Sequence, residues 1–186
     1  MNLFLDTATE DFCLILFDDN FNVIDNVFIA AQKKKVDLII SSTEQILAKN
    51  SLKIQDIKGL YTNIGPGFFT GIRSSFIYFR TIALMLKTHF FVTNSFALLQ
   101  KQFPDASELY LDAQGKKMYF LKPSQNVNSI DVFDSVNVVD LDLSKIQKID
   151  FQKLTQNFVF YKDCFKETDP MSVEPQYVKK PQIGGN

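Results

Sequence analysis

The sequence predicts an α/β protein, with a mixed five-stranded sheet and helices in residues 1–103 and a smaller second lobe in residues 104–186. Short apolar runs separated by turn residues have strand length, two longer runs carry helical periodicity, and Pro104-Asp105-Ala106-Ser107 interrupts the pattern. At 186 residues and 46% hydrophobic content, the chain has enough apolar surface for such a core.

Leu3-Phe4-Leu5, Phe12 to Phe17 and the looser alternation from Asn22 to Ala30 predict a three-stranded antiparallel meander, broken at Asp18-Asp19-Asn20. Lys33 to Asn50 predicts a helix, with Val36, Ile39, Ile40, Thr43, Ile46 and Leu47 on one face. Lys33, Lys34 and Lys35 open it. Three cations at a helix N-terminus oppose its dipole, so they are either solvated or serve an anionic partner. Gly59 to Ile64 is a fourth strand, Thr70 to Lys87 a second helix, and His89 to Thr93 a fifth strand parallel to the fourth by the right-handed crossover rule. Ser95 is placed to cap a third helix running through Gln102. The order β-β-β-α-β-α-β-α is the ribonuclease-H-like arrangement. Beyond it, Leu109–Ala113 and Lys117–Leu121 predict a hairpin about Gln114-Gly115-Lys116. Val136–Leu141 and Phe158–Tyr161 are further apolar runs in a stretch poor in helix signal, and Pro170 to Asn186 reads as extended, with a mobile Gly-Gly-Asn end.

Composition narrows the chemistry. Twenty basic against 21 acidic residues give a net charge of −1, which offers no general nucleic-acid footprint. With one histidine, His89, and two distant cysteines, Cys13 and Cys164, a His/Cys metal site is not expected. No Gly-x-Ser-x-Gly elbow accompanies that histidine. The absence of a basic N-terminal region, a long apolar run or a cysteine framework leads us to expect a reduced, cytoplasmic protein without a membrane role.

The most distinctive stretch is Asn63-Ile64-Gly65-Pro66-Gly67-Phe68-Phe69-Thr70-Gly71-Ile72-Arg73, which holds three of the seven glycines. Its Gly-x-Gly-x-x-x-Gly spacing matches neither a dinucleotide fingerprint nor a phosphate-binding P-loop. Gly65 and Gly67 permit positive φ or close backbone approach, and positive φ is expected at Gly67. Asp6-Thr7, at the end of the first strand, is either a self-closing turn or a phosphate or metal-water contact.

The second helix is apolar on two sides. Phe69, Ile72, Phe76, Phe79, Ala83 and Leu86 suffice to seat it on the sheet. Tyr78, Ile82 and Met85 form another stripe, below the small Ser74 and Ser75. This second stripe calls for cover by a helix or loop of this chain's second lobe or by a partner protein; a partner is the expectation, with Ser74 allowing close approach, Arg73 beside it and Val36 contributed by the first helix.

Four anchors in order, Leu5-Asp6-Thr7-Ala8-Thr9-Glu10, the glycine loop, Asp112-Ala113…Met118-Tyr119 and Pro175-Gln176-Tyr177-Val178-Lys179, resemble the TsaB (YeaZ) family of threonylcarbamoyladenosine biosynthesis proteins. The loop is the most specific, close to the family's Gly-Pro-Gly-Ser-Phe-Thr-Gly-Leu-Arg. The resemblance implies a two-lobed actin-like, Hsp70-like fold that has lost catalysis and pairs with a TsaD-type catalytic subunit. With a TsaE-type ATPase, that pair transfers threonylcarbamoyl to N6 of adenosine 37 in tRNAs reading codons that begin with A. It further implies that Gly65, Pro66, Gly67, Thr70 and Gly71 form a structural and functional loop, and that Asp6 and Thr7 mark a vestigial nucleotide corner. ATP and metal then belong to partner subunits, tRNA is met through the complex, and a homodimer is an option for the chain alone. The sequence departs from the family at Phe68 for Ser, at Lys34-Lys35-Val36 for His-Ser-Glu, and at Gln114 for the Arg of Asp-Ala-Arg. The competing readings are an ATP-dependent phosphotransferase of the actin-like superfamily, for which the second lobe offers no glycine-rich phosphate loop, and a metallopeptidase, for which ligands are lacking.

Overall fold

A computed structural model of the chain describes residues 1–123 and 130–179; the Gly-Gly-Asn tail lies outside them. The meander forms as expected from strands β1 (Asn2–Asp6), β2 (Phe12–Phe17) and β3 (Val23–Ile29). Helix α1 (Lys35–Lys49) then leads to β4 (Gly59–Asn63), α2 (Phe69–Leu86), β5 (His89–Thr93) and α3 (Ser95–Gln102). β1 lies between antiparallel β2 and parallel β4, and β5 runs parallel to β4. β1, β2 and β4 are buried along their whole length. A sheet covered on both faces calls for such continuous apolar runs rather than alternation.

The sheet has six strands, one more than expected: two-residue β9 (Lys166–Glu167) pairs antiparallel with β5 at the edge. Neither its length nor its Lys-Glu composition marks it as a strand; only the free edge of β5 recruits it. The second sheet is β6 (Leu109–Asp112), β7 (Lys117–Leu121) and β8 (Asn137–Asp140), all antiparallel. The hairpin turn has Gln114, Gly115 and Lys116 at positive φ.

The later chain also holds helix that sequence periodicity did not signal. α4 (Phe151–Gln156) is too short to show a repeat, and the Phe158–Tyr161 run is part of a 3₁₀ helix spanning Phe158–Cys164. Both pack on the first sheet. Phe158 meets Phe17 with ring centres 4.8 Å apart and Phe4 at 5.6 Å, while Phe165 reaches Tyr61 at 5.2 Å. Tyr61 stacks on Phe91 at 4.2 Å, completing an aromatic layer on the sheet face opposite α1 and α2. Such ring pairs contribute about 0.5–1.5 kcal/mol each beyond their burial. Gln102, at the end of α3, clips this region down: its Nε2 donates to the Asp150 carbonyl (2.9 Å) and its Oε1 accepts from the Asp150 N–H (2.8 Å).

The cap of α3 is Asn94, one residue before the expected Ser95; its side chain accepts from the Ala97 N–H at 2.8 Å. Ser95 instead donates its N–H to Gly65 O (2.8 Å), and its Oγ accepts from Asn63 Nδ2 (2.9 Å). Among the described residues no helix is long and apolar enough to cross a membrane.

The glycine loop is held by space rather than by torsion at its centre. Gly65 has φ +110°, whereas Gly67 is not in the positive-φ region, contrary to expectation. A Cβ on Gly67 would lie 2.1 Å from the Ala8 carbonyl oxygen, and one on Gly71 would lie 1.9 Å from that of Thr7. Both distances are impossible for real atoms, and the obstacles are backbone. Gly67→Ala and Gly71→Ala are each expected to destabilise the chain by about 2 kcal/mol or more, as overpacking against a fixed wall does. Gly115→Asn, at φ +61° in the hairpin turn, should stay within about 0.5 kcal/mol, because Asn tolerates that conformation. Urea unfolding of the three variants checks the contrast.

Candidate functional site

Two places collect the residues singled out by sequence. The first is the corner where β1 ends. Asp6 is wholly buried; one carboxylate oxygen accepts from the Ala8 N–H (2.8 Å) and the other from Asn63 Nδ2 (2.8 Å). Thr7 donates its hydroxyl to Gly71 O at 2.7 Å. Asn63 also accepts from the Gly65 N–H at 2.9 Å, so Asp6, Asn63, Ser95 and the glycine loop form one network. Burial raises the Asp6 pKa against these hydrogen bonds. Only the bond from the Ala8 N–H closes the turn locally; the other Asp6 oxygen and the Thr7 hydroxyl instead tie the corner to β4 and to the start of α2.

Beside this corner stands a residue whose surroundings the sequence did not reveal. Lys33 and Lys34 are exposed, but Lys35 retains only 6% exposure, so the triplet is not uniformly solvated. The Lys35 Nζ is buried with no hydrogen-bond partner, 5.0 Å from the centre of the Phe68 ring and 3.7 Å from where a Gly71 Cβ would stand. Burial lowers its pKa more than the attraction of Asp6, Asp11 and Glu10 raises it. A three-residue run of one residue type gives no hint of which member turns inward; only the docking of α1 on α2 decides it.

The second place is the outer surface of α1 and α2. Ile72, Phe76, Phe79 and Ala83 are buried toward the sheet, as expected, with Phe76 against Phe90 at 5.8 Å. Ser75 belongs with them: it is fully buried and bonds back to Gly71 O and Ile72 O. Phe69 is only partly buried and packs on Tyr177 of the C-terminal segment, 4.6 Å between ring centres. Tyr78 is half-buried against α1, where burial raises its pKa and a hydrogen bond with Thr43 opposes the shift. Ile82 is likewise partly buried, whereas Arg73 and Met85 are exposed, Met85 at 76%.

The most exposed apolar ridge includes residues outside the expected stripe: Ile77 at 46% and Leu84 on α2, with Val36 and Ile40 on α1. Ile40 was expected on the inner face of α1; only Ile39, Thr43, Ile46 and Leu47 of that set are buried. The i, i+4 pair Val36–Ile40 and the spacing Arg73–Ile77–Leu84 carry this signal, which an apolar helix on two sides conceals. An open groove runs along α2 between Arg73 and Ile82, lined by Ser74, Ile77, Tyr78 and Thr81. The described part of the C-terminal segment borders it without covering it, held by Arg80 to Glu174 at 2.8 Å.

Between the two sheets lies a cleft of about 230 Å³, lined by Glu10, Asp11, Gly67, Phe68, Asp112 and Lys148 among others. Lys148 pairs with Glu10 across it, and the Tyr119 hydroxyl reaches Gly67 O at 3.4 Å. Burial pushes the Tyr119 pKa up to about 12. Among the described residues no group of three His, Cys, Asp or Glu side chains is gathered that could hold a metal ion.

Comparison with known proteins gives this geometry a family. The family described as TsaD, tRNA N6-adenosine threonylcarbamoyltransferase, matches residues 29–163, more than half of the chain. The chain belongs to that family. The uncharacterized protein MG208 of Mycoplasma genitalium is 27% identical over 190 residues, covering 96% of this chain and 95% of that one. Its Mycoplasma pneumoniae homologue is 34% identical over 80 residues, 42% of this chain and 41% of that one. YeaZ from Pseudomonas aeruginosa superposes with a TM-score of 0.55 at 16% identity, over 76% of this chain and 66% of that one. A second solved structure, described as similar to peptidase YeaZ from the same organism, gives 0.65 at 13% identity over 96% and 100%. The fold is therefore that of YeaZ.

Lys35 supplies a test of the corner. An ammonium whose folded pKa lies below its unfolded value carries its full burial penalty below the folded value and sheds it as pH rises from there to the unfolded value. Lys35→Met is expected to raise unfolding free energy at pH 7 by about 1 kcal/mol, since an apolar isostere removes the penalty. The gap to the unsubstituted chain should narrow at alkaline pH. Urea unfolding across that pH range measures both.

Proposed function

We propose that this chain is a non-catalytic partner subunit in threonylcarbamoyladenosine synthesis, cytoplasmic, and that it binds a TsaD-type catalytic subunit through the outer surface of α1 and α2. The observation that carries this reading is the ridge of Val36, Ile40, Ile77, Leu84 and Met85, exposed on two neighbouring helices, with nothing among the described residues laid over it. A helix pair offering an apolar ridge with the small Ser74 at one end suits a four-helix seam with two helices of a partner. Arg73, Ser74, Tyr78, Ile82, Met85 and Val36 remain the residues assigned to that contact, with Ile77, Leu84 and Ile40 added.

Catalysis, ATP and metal are assigned to the partner and to a TsaE-type ATPase, and tRNA is met only by the assembled complex. The corner supports this division. Asp6 and Thr7 spend their side chains on Ala8, Asn63 and Gly71, and in the cleft beside them Lys148 is engaged by Glu10, which leaves Asp11 and Asp112 to oppose a polyphosphate.

Ile77→Asp tests the reading better than a change at Tyr78, because Ile77 leans on solvent whereas Tyr78 helps to hold α1 against α2. A charge desolvated at an interface centre costs several kcal/mol. The expected result is loss of binding to the TsaD-type subunit, at least a hundredfold by calorimetry, with the melting temperature of the isolated chain unchanged. Undiminished affinity of the folded variant overturns the assignment.

A further inference from the structure

After β9, residues 168–179 are neither helix nor strand, yet they touch both sheets and α2. The Thr168 N–H donates to Phe90 O on β5 at 2.9 Å, and Val173 and Pro175 are buried. Glu174 pairs with Arg80, and the Tyr177 ring rests on Phe69, both on α2. Between them Gln176 donates its N–H to Ile64 O at 2.9 Å. A Cβ on Gly65 would come within 3.0 Å of the Gln176 carbonyl oxygen, so that glycine leaves the bed in which this stretch lies. Two residues further on, the Lys179 ammonium donates to the carbonyls of Gln114 (2.8 Å) and Ala113 (3.3 Å), in the turn between β6 and β7.

Each end of this stretch abuts a surface described above. At one end, Arg73 and Ile77 line the open groove on α2 and also a hollow on their other side, whose far wall is Glu174, Pro175 and Tyr177. Those two side chains are what separates an occupant of the groove from the C-terminal segment. At the other end, Ala113 follows Leu111 and Asp112, which line the cleft between the sheets, while Ile64 and Gly65 precede Pro66, Gly67 and Phe68 on the facing wall. The segment thus crosses from one wall of the cleft to the other.

The β6–β7 hairpin is buried at its base, with Leu109 at 0% and Leu111 at 4% exposure, and exposed at its tip from Gln114 to Lys116. β8 holds the tip within the second sheet, through the Leu141 N–H to Lys116 O and Lys117 to Asp140. Toward the glycine loop the hairpin is tied by Lys179 and by the Tyr119 hydroxyl on Gly67 O, a longer contact at 3.4 Å. Bonds from a charged donor are the stronger kind, so Lys179 carries more of this tie. A buried base and an exposed tip describe a segment that shifts about its base.

Resting on the reading that α2 binds a protein, we infer that residues 173–179 are a strap coupling that site to the cleft. A partner that meets Arg73 and Ile77 presses through them on Tyr177 and Glu174, and the strap passes the restraint to the hairpin tip through Lys179. A strap fixed at its Lys179 end has already lost the freedom that the partner must otherwise remove, so each event favours the other. The cleft wall at Leu111 and Asp112 is thereby set by an event on α2.

The experiment uses the full chain, the TsaD-type subunit as the binding probe, and amide hydrogen exchange read at residues 113–117. Lys179→Met keeps the aliphatic stem and removes the ammonium; Lys179→Arg keeps a charged donor and serves as the rescue. In the free chain Lys179→Met should speed exchange at the tip about fivefold while β1 and α2 stay unchanged. Partner binding should slow exchange at the tip about threefold in the unsubstituted chain and not in Lys179→Met, whose partner affinity should fall by about the same factor. Lys179→Arg should restore both. A tip that exchanges alike with and without the lysine overturns the inference. So does slowing by the partner that survives Lys179→Met undiminished, since the partner then touches the tip directly. Ile77→Asp separates the two readings. If it abolishes partner binding while Lys179→Met has no effect, only the coupling falls; if it leaves binding intact, the assignment of α2 falls and the coupling with it.

Discussion

The close approach of Gly67 and Gly71 to the carbonyls of Ala8 and Thr7 is the constraint on which the rest of this structure depends. It presses the start of α2 onto the end of β1 with no side chain between. The Thr7 hydroxyl and the Phe68 N–H, which donates to Ala8 O at 2.6 Å, then fix the contact. Once that contact is made, α2 has a single seat on the sheet, α1 can lie only alongside it, and the outward ridge takes its place. On the other side of the loop, Gly65 O receives the N–H of Ser95, and Ile64 O receives that of Gln176 at 2.9 Å. Three separated segments of the chain are thus registered against one turn.

Much of this could be read from residues. The five long strands, the three helices within residues 1–103 and the hairpin show their periods plainly, because each is long enough to repeat and is bounded by turn residues. The importance of the loop was legible too, though its mechanism was not. Glycine permits both positive φ and close approach, and only packing tells that Gly65 uses the first and Gly67 the second. Elements that the sequence left unmarked are short or defined by others. α4 and the 3₁₀ helix after it span less than a few turns, and β9 is a strand only because β5 has an edge to offer. The exposure of Ile77, Leu84 and Ile40 escaped for a related reason: on a helix apolar on most of its surface, the period does not say which side faces the sheet.

The candidate site holds two electrostatic situations that burial alone would treat alike. Asp6 and Lys35 are both withdrawn from water within the same corner, yet Asp6 is satisfied by Ala8 and Asn63 while Lys35 makes no hydrogen bond. The carboxylate is consistent at every level, from its place at a strand end to its partners. The ammonium is not, and such local inconsistency is where selection for something other than stability leaves its trace.

The aromatic layer has a consequence for how the chain comes to exist. Phe4, Phe17, Tyr61 and Phe91 belong to the first half of the sequence, but the rings that cover them, Phe158 and Phe165, lie close to its end. During synthesis the first sheet therefore waits, one face dressed by α1 and α2 and the other without the rings of Phe158 and Phe165, until the chain has been made to that point. In that interval a broad sticky surface of phenylalanine is open to other chains. Crowding and chaperone supply then set the yield of folded protein as much as its final stability does.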